Sequence, residues 1–132
     1  MALLNTHGHF DHIMGNAFVA GRWSLSTMIH SEDKPHLERA KQYSDMFGYK
    51  IEQPPLNTIE LNDGDEIRFG ESLLKVIHTP GHTRGGVSFY SEEDKFVITG
   101  DALFAGSIGR TDLPGGDYDQ LMESLLNKII KL

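Results

Sequence analysis

The chain has 132 residues, enough for one domain, or part of one, with a real core, and 39% of them are hydrophobic, an ordinary globular share. A formal net charge of −7 disfavours nonspecific adhesion to nucleic acid or anionic membranes, and the absence of cysteine excludes disulfides and thiolate ligands. No run approaches the length of a membrane-crossing helix and no basic leader followed by a long apolar stretch is visible; the lack of cysteine suits the cytoplasm, which is the expected location.

Ala2 to Asn5 read as the end of a buried strand. It feeds the most informative stretch of the chain, Thr6-His7-Gly8-His9-Phe10-Asp11-His12. Neutral imidazoles with a carboxylate are a ligand set that suits zinc, iron or manganese. In an extended segment, side chains two apart point the same way, so His7 and His9 can reach one ion together. Asp11 and His12 then lie past a bend, where they can face a second ion or the water between two. Gly8 keeps the bulk between the first pair small.

A helix is expected to start near Ile13 and run toward Trp23, carrying Ile13, Ala17 and Phe18 inward. Thr27 to His30 read as a short strand. Ser31 can cap the next helix, whose first turn carries Glu32 and Asp33, favourable at the positive end of the helix dipole. Pro35 is tolerated because it falls within that first turn. Leu37, Ala40 and Tyr43 or Ser44 make the inner stripe, and Gly48 ends the helix. His36 reads as solvated.

From residue 51 the pattern changes to strands. Ile51 to Leu61 are extended and interrupted by Pro54-Pro55, and Asn62-Asp63-Gly64-Asp65 is a turn. Glu66 to Phe69 and Leu73 to His78 form strands around Gly70-Glu71. Thr79-Pro80-Gly81-His82-Thr83 then places a further histidine in a Pro-Gly turn after an apolar run. Val87 to Tyr90 and Lys95 to Thr99 flank the charged tip Ser91-Glu92-Glu93-Asp94. The second of these runs ends in Gly100-Asp101, and a strand that ends in a turn is a usual place for a ligand held by a rigid scaffold. His7, His9 and His82 would complete one metal site; Asp11, His12 and a bridging Asp101 would form most of another. His30 and His78 sit at strand ends, with at most a supporting role. Asp117 and Gln120 have capping-box spacing, followed by a stripe of Tyr118, Leu121, Leu125 and Ile129. Arg110 and Asp112 are placed for a bracing ion pair. The chain has no Gly-x-Ser-x-Gly elbow, and Gly106-Ser107-Ile108-Gly109 lacks the spacing of a phosphate-binding loop.

The order His-x-His-x-Asp-His, then Gly-His-Thr, then Gly-Asp, resembles the metallo-β-lactamase superfamily. The segment from Gly100 to Asp117, with its Gly109-Arg110-Thr111-Asp112 core, is similar to the small glyoxalase II-like branch, the hydroxyacylglutathione hydrolase-like proteins. It is shared in part with persulfide dioxygenases. The resemblance runs from Leu3 to Leu132. It implies an α+β fold, part of a four-layer αββα sandwich with metals at one edge. Residues 1–132 would be the central portion of one such domain, truncated at both ends. Members of the family have several strands before the first motif and, after the last helix, a Gly-His-Gly segment that completes the second metal site. The glutathione-binding helical domain would also lie beyond Leu132.

The resemblance further implies a dinuclear metal-dependent hydrolase. Its cofactors would be two divalent ions, zinc first and iron or manganese as alternatives. His7, His9, Asp11, His12, His82 and Asp101 would be the ligands, and Asp11 would also orient the attacking hydroxide shared by the ions. The expected substrate is a small thioester such as S-lactoylglutathione, with no nucleic-acid or membrane partner. Two other readings stand beside this one. A mononuclear iron persulfide dioxygenase would use His7, His82 and Asp101; a non-catalytic metal-binding fragment would use the cluster without turnover. If these residues are the whole protein, exposed sheet edges predict self-association into a homo-oligomer.

Overall fold

Strand alternation sorts the apolar side chains into two faces, and the architecture follows from what covers each face. In the computed structural model, which describes residues 1–132, β1 (Leu3–Leu4), β2 (Thr27–Ile29) and β3 (Thr58–Glu60) form a parallel sheet in that order. The second sheet is antiparallel, β4 (Glu66–Phe69), β5 (Ser72–His78), β6 (Val87–Ser91) and β7 (Phe96–Ile98), in sequential order. A small ribbon of β8 (Leu103–Phe104) and β9 (Ser107–Ile108) closes the Gly-Asp loop.

Three apolar clusters define four layers. Leu74 and Val76 of β5 and Val87 and Phe89 of β6 pack with Leu61, and Leu4 of β1, Met28 of β2 and Ile67 of β4 lie against them. This is the interface between the two sheets. Ile29, one residue on from Met28, points to the opposite face, where it meets Ile13, Leu37 and Ala40. Those three belong to α1 (Phe10–Ile13), α3 (Lys34–Glu38) and α4 (Ala40–Met46). On the far side of the antiparallel sheet, Leu121, Leu125 and Ile129 pack with Ala102 against Val97 of β7 and Ile108 of β9. Each fully buried aliphatic side chain of this kind contributes on the order of 1.5–3 kcal/mol by leaving water. The order helix, sheet, sheet, helix is the α+β sandwich arrangement that the motifs imply.

The helices depart from the periodicity in detail. In place of one helix from Ile13, the short α1 is followed by α2 (Asn16–Trp23), and Phe18 lies exposed, edge-on to Trp23. Ser31 does not cap the next helix: Ser31–Asp33 form a 3₁₀ turn, and the His30 ring accepts the Glu32 N–H at 3.3 Å. α3 and α4 break at Arg39, but Leu37, Ala40 and Ser44 keep one buried face. Asp117 caps α5 (Tyr118–Ser124) by accepting the Gln120 N–H at 2.9 Å. A π-helical turn over Leu125–Ile129 then keeps Leu125 and Ile129 on the sheet. Tyr118, placed in that stripe by spacing alone, is exposed and takes no part in the cluster of Leu121, Leu125 and Ile129. No helix is long and apolar enough to cross a membrane.

Candidate metal centre

The chemistry-bearing residues sit where strands give way to loops along one edge of the sandwich. β1 ends two residues before Thr6, where the chain bends, and the extended backbone of His9 (φ −63°, ψ 145°) leads into α1. That single helical turn brings His12 back toward the loop, its N–H donating to the His9 carbonyl at 3.0 Å. The Asn5 amide donates to the His12 carbonyl at 3.1 Å and holds the turn in place. His82 comes from the turn after β5. Gly81 has φ +133°, and a Cβ there would lie 2.3 Å from the Leu121 Cα, so only glycine lets this turn seat against α5. Asp101 lies in a 3₁₀ turn at Gly100–Ala102, directly after β7.

These loops converge. The ligand atoms of His7, His9 and His82 lie within 4.8 Å of one another, and so do those of His7, His12 and Asp101. His9 Nδ1 is 2.9 Å from His82 Nε2. Asp101 spans the two groups, with one oxygen 3.2 Å from His12 Nε2 and the other 3.7 Å from His82 Nε2. His7 is thus common to both groups, where spacing along the chain assigned it to one. Asp11 lies further out: its carboxylate is 3.6 Å from His12 Nε2 and its side chain is 60% exposed. It stands at the rim of the cluster, close to His12 alone among the histidines.

The ring nitrogens are already sorted by role. His82 Nδ1 donates to the Arg110 carbonyl at 2.7 Å, which leaves Nε2 with its lone pair facing the cluster. The His7 Nδ1 is 3.1 Å from the Thr6 hydroxyl. His7 Nε2 is buried and has no hydrogen-bond partner. Burial, reinforced by the neighbouring His12, His9 and His82 rings, pushes the His7 pKa down to about 2. Burial and then the His82 and His36 rings push His9 down to about 4. Neutral imidazole is the form that ligates a metal.

A divalent cation fits this donor set. The orphaned His7 Nε2 would gain a partner, and Asp101 would supply negative charge among packed histidines. Two nitrogens on one tetrahedral zinc stand about 3.3 Å apart. The observed 2.9 Å between His9 and His82 needs an opening of only a few tenths of an ångström. A hollow of about 700 Å³ is lined by Glu66, Lys75, Tyr90 and Lys131 among others and contains none of these residues. Donor chemistry, and not cavity size, locates the site.

Two features were not legible from spacing. His36, read as solvated, is half-buried with its ring 5.2 Å from that of His9, and burial lowers its pKa. Asp33, read as a dipole partner in a first helical turn, is fully buried against the metal loops. His30 and His78 lie in a separate group with Glu32, their rings stacked at 4.2 Å. Arg110 and Asp112 form the expected pair, bidentate at 2.7 and 2.8 Å and fully on the surface.

Known proteins resemble this chain along its whole length. The family model described as "Metallo-beta-lactamase superfamily" matches residues 1–132, and the chain belongs to that superfamily. It is 37% identical over 134 residues to the probable metallo-hydrolase YqgX of Bacillus subtilis, covering 100% of this chain and 63% of that protein. It is 34% identical over 132 residues to hydroxyacylglutathione hydrolase GloC of Haemophilus influenzae, covering 98% of this chain and 62% of that one. Among solved structures, the di-iron-bound form of TTHA1623 superposes with a TM-score of 0.90 at 39% identity, covering 99% of this chain and 64% of that chain. The chain therefore spans a little under two thirds of the length of these relatives.

Proposed function

We propose that this chain carries the metal centre of a dinuclear hydrolase acting on small thioesters, S-lactoylglutathione being the type substrate. The observation that carries the reading is the buried, unpartnered His7 Nε2 facing the same space as His9, His12, His82 and Asp101. Leaving such a nitrogen unpaired in a fold is costly unless a ligand uses it. His7, His9 and His82 would hold one ion, and His12 and Asp11 a second, with Asp101 between them. Likeness to GloC favours a thioester, and likeness to a di-iron structure keeps iron beside zinc as the metal.

When bound, divalent metals supply Lewis acidity that brings the pKa of a coordinated water near neutrality and polarises a carbonyl. The protein's own residues do the rest. The Arg110 carbonyl fixes the His82 tautomer, and Thr6 orients His7. Asp11, at the exposed rim beside His12, would orient the attacking water. A thioester needs little general-acid assistance because its leaving thiolate is stable near neutral pH. The substrate is small, and nothing in the acidic charge balance favours a nucleic-acid or membrane partner.

The test is elemental analysis and turnover in the full-length protein. Two ions per chain with cleavage of S-lactoylglutathione is the expected result. One iron per chain with oxygen uptake on glutathione persulfide would reassign it to the dioxygenases. Bound metal with neither activity would make the centre non-catalytic.

A further inference from the structure

Asp33 is a carboxylate with no exposed surface, and no ligand role is open to it because both of its oxygens are taken. Oδ2 accepts the Gly8 N–H at 2.8 Å and the Thr83 hydroxyl at 2.8 Å; Oδ1 accepts the Gly85 N–H at 2.7 Å. Gly8 is the residue between His7 and His9. Thr83 is the neighbour of His82. One side chain, delivered by the 3₁₀ turn after β2, thus bonds both segments that carry the first three histidines, 25 and 52 positions away at the two backbone contacts.

The contact is close on both sides. A Cβ on Gly8 would lie 2.8 Å from the Asp33 carbonyl oxygen, and one on Gly85 would lie 2.8 Å from Asp33 Oδ1. Any shift of Asp33 therefore passes directly to both loops. Elsewhere the two segments are joined at their base, where Val87 N–H donates to the Thr6 carbonyl at 2.8 Å. Asp33 adds the tie at the level of the ligands. Three donors on two oxygens require a carboxylate: an amide has one acceptor oxygen, and its NH₂ would face a buried N–H or hydroxyl donor.

We infer that Asp33 is a positioning residue of the metal centre, whose buried carboxylate holds the His7–His9 loop and the His82 loop at the separation a bound ion needs. The inference rests on the metal reading proposed above. Besides the His9–His82 ring contact, which a bound ion would replace, Asp33 ties the two loops at the level of the ligands, so its loss should act on metal affinity and not only on stability.

The experiment measures zinc affinity by chelator competition on the folded full chain, together with the melting temperature of the metal-free form. Asp33→Asn should weaken zinc binding by about 10–100-fold, the usual range for a lost supporting hydrogen bond. Gly85→Ala, which pushes the carboxylate from the other side, should act in the same direction. Val76→Ala, in the core between the sheets, should lower the melting temperature and leave zinc affinity unchanged. If Asp33→Asn does not fold, Thr83→Val and Thr83→Ser carry the test: valine should weaken zinc binding and serine should restore it. Affinity equal to wild type in Asp33→Asn, or no difference between the valine and serine variants, would overturn the inference alone. So would an affinity loss in Val76→Ala that matches its loss of stability in the same proportion as Asp33→Asn. A wild-type chain that binds neither zinc, iron nor manganese would overturn the metal reading itself, and this inference with it.

Discussion

His9 Nδ1 and His82 Nε2 lie 2.9 Å apart although 73 positions separate them in the chain. With the His82 Nδ1 proton committed to the Arg110 carbonyl, the contact requires His9 to donate from Nδ1. In a neutral imidazole a metal taking both nitrogens shifts that proton to the other ring nitrogen, so metal uptake should switch His9 from the Nδ1–H to the Nε2–H tautomer. Nitrogen NMR of the histidine rings with and without zinc reads the tautomer; a His9 ring that keeps its Nδ1 proton in the zinc-bound protein would count against shared coordination.

The ligand assignments separate the two enzyme mechanisms. His7→Ala, His12→Ala and Asp101→Ala should each cost several orders of magnitude in thioester hydrolysis if two ions act together. His12→Ala should also lose one of the two ions by elemental analysis. A mononuclear iron enzyme gives another pattern, in which His12→Ala keeps its metal while His7→Ala and Asp101→Ala do not. Full hydrolase activity in His12→Ala would sink the dinuclear mechanism.

Metal-free protein should lose stability as the pH falls through 6.5 and below. His7 and His9 titrate at about 2 and about 4 in the fold, both below the 6.5 of an ordinary histidine. Between about pH 6.5 and 4 the unfolded chain therefore binds more protons than the folded one, so stability increases with pH across that window. Urea midpoints measured at pH 7, 6 and 5 should fall in that order. A flat profile from pH 7 to 5 would mean that the histidines are not buried neutral in the metal-free state.

Arg110 gives a contrasting prediction, because its side chain and its backbone do different things. The guanidinium pairs with Asp112 on the surface, where its hydrogen bond holds the Asp112 carboxyl down to about 2. Solvent screens such a pair, so Arg110→Ala should barely move the melting temperature. The carbonyl that orients His82 remains in the alanine variant, so metal content should also be unchanged. A large loss of metal in Arg110→Ala would show that the side chain itself orders the loop.

Gly81→Ala should be far worse than its size suggests. The backbone is in a region that L-residues rarely adopt, and the added Cβ would meet Leu121 backbone atoms at 2.3 Å. The loss should exceed the roughly 1 kcal/mol scale of an unstrained glycine-to-alanine change. Since Gly81 adjoins His82, thermal unfolding and zinc affinity should deteriorate together. By comparison, Leu121→Ala removes only core volume and should cost about 2–5 kcal/mol with the zinc site intact.

What short-range pattern could decide, it decided. The His-x-His-x-Asp-His spacing, the Pro-Gly-His turn and the strand ending in Gly-Asp marked the ligand candidates, because metal-binding side chains cluster where a strand gives way to a loop. The apolar runs of β5 and β6 and the Asp117–Gln120 cap likewise depend on neighbours within a few residues. Tertiary structure alone decided the rest. His7 shares space with both ligand groups, Asp11 stands at the rim, and His36 is drawn in beside His9. Asp33 looked like an acid favoured by a helix dipole, and became the buried tie between two loops. Its donors sit 25 to 52 residues away, and no local period encodes a partner at that distance. Only the packing of the two sheets brings those loops within hydrogen-bonding reach.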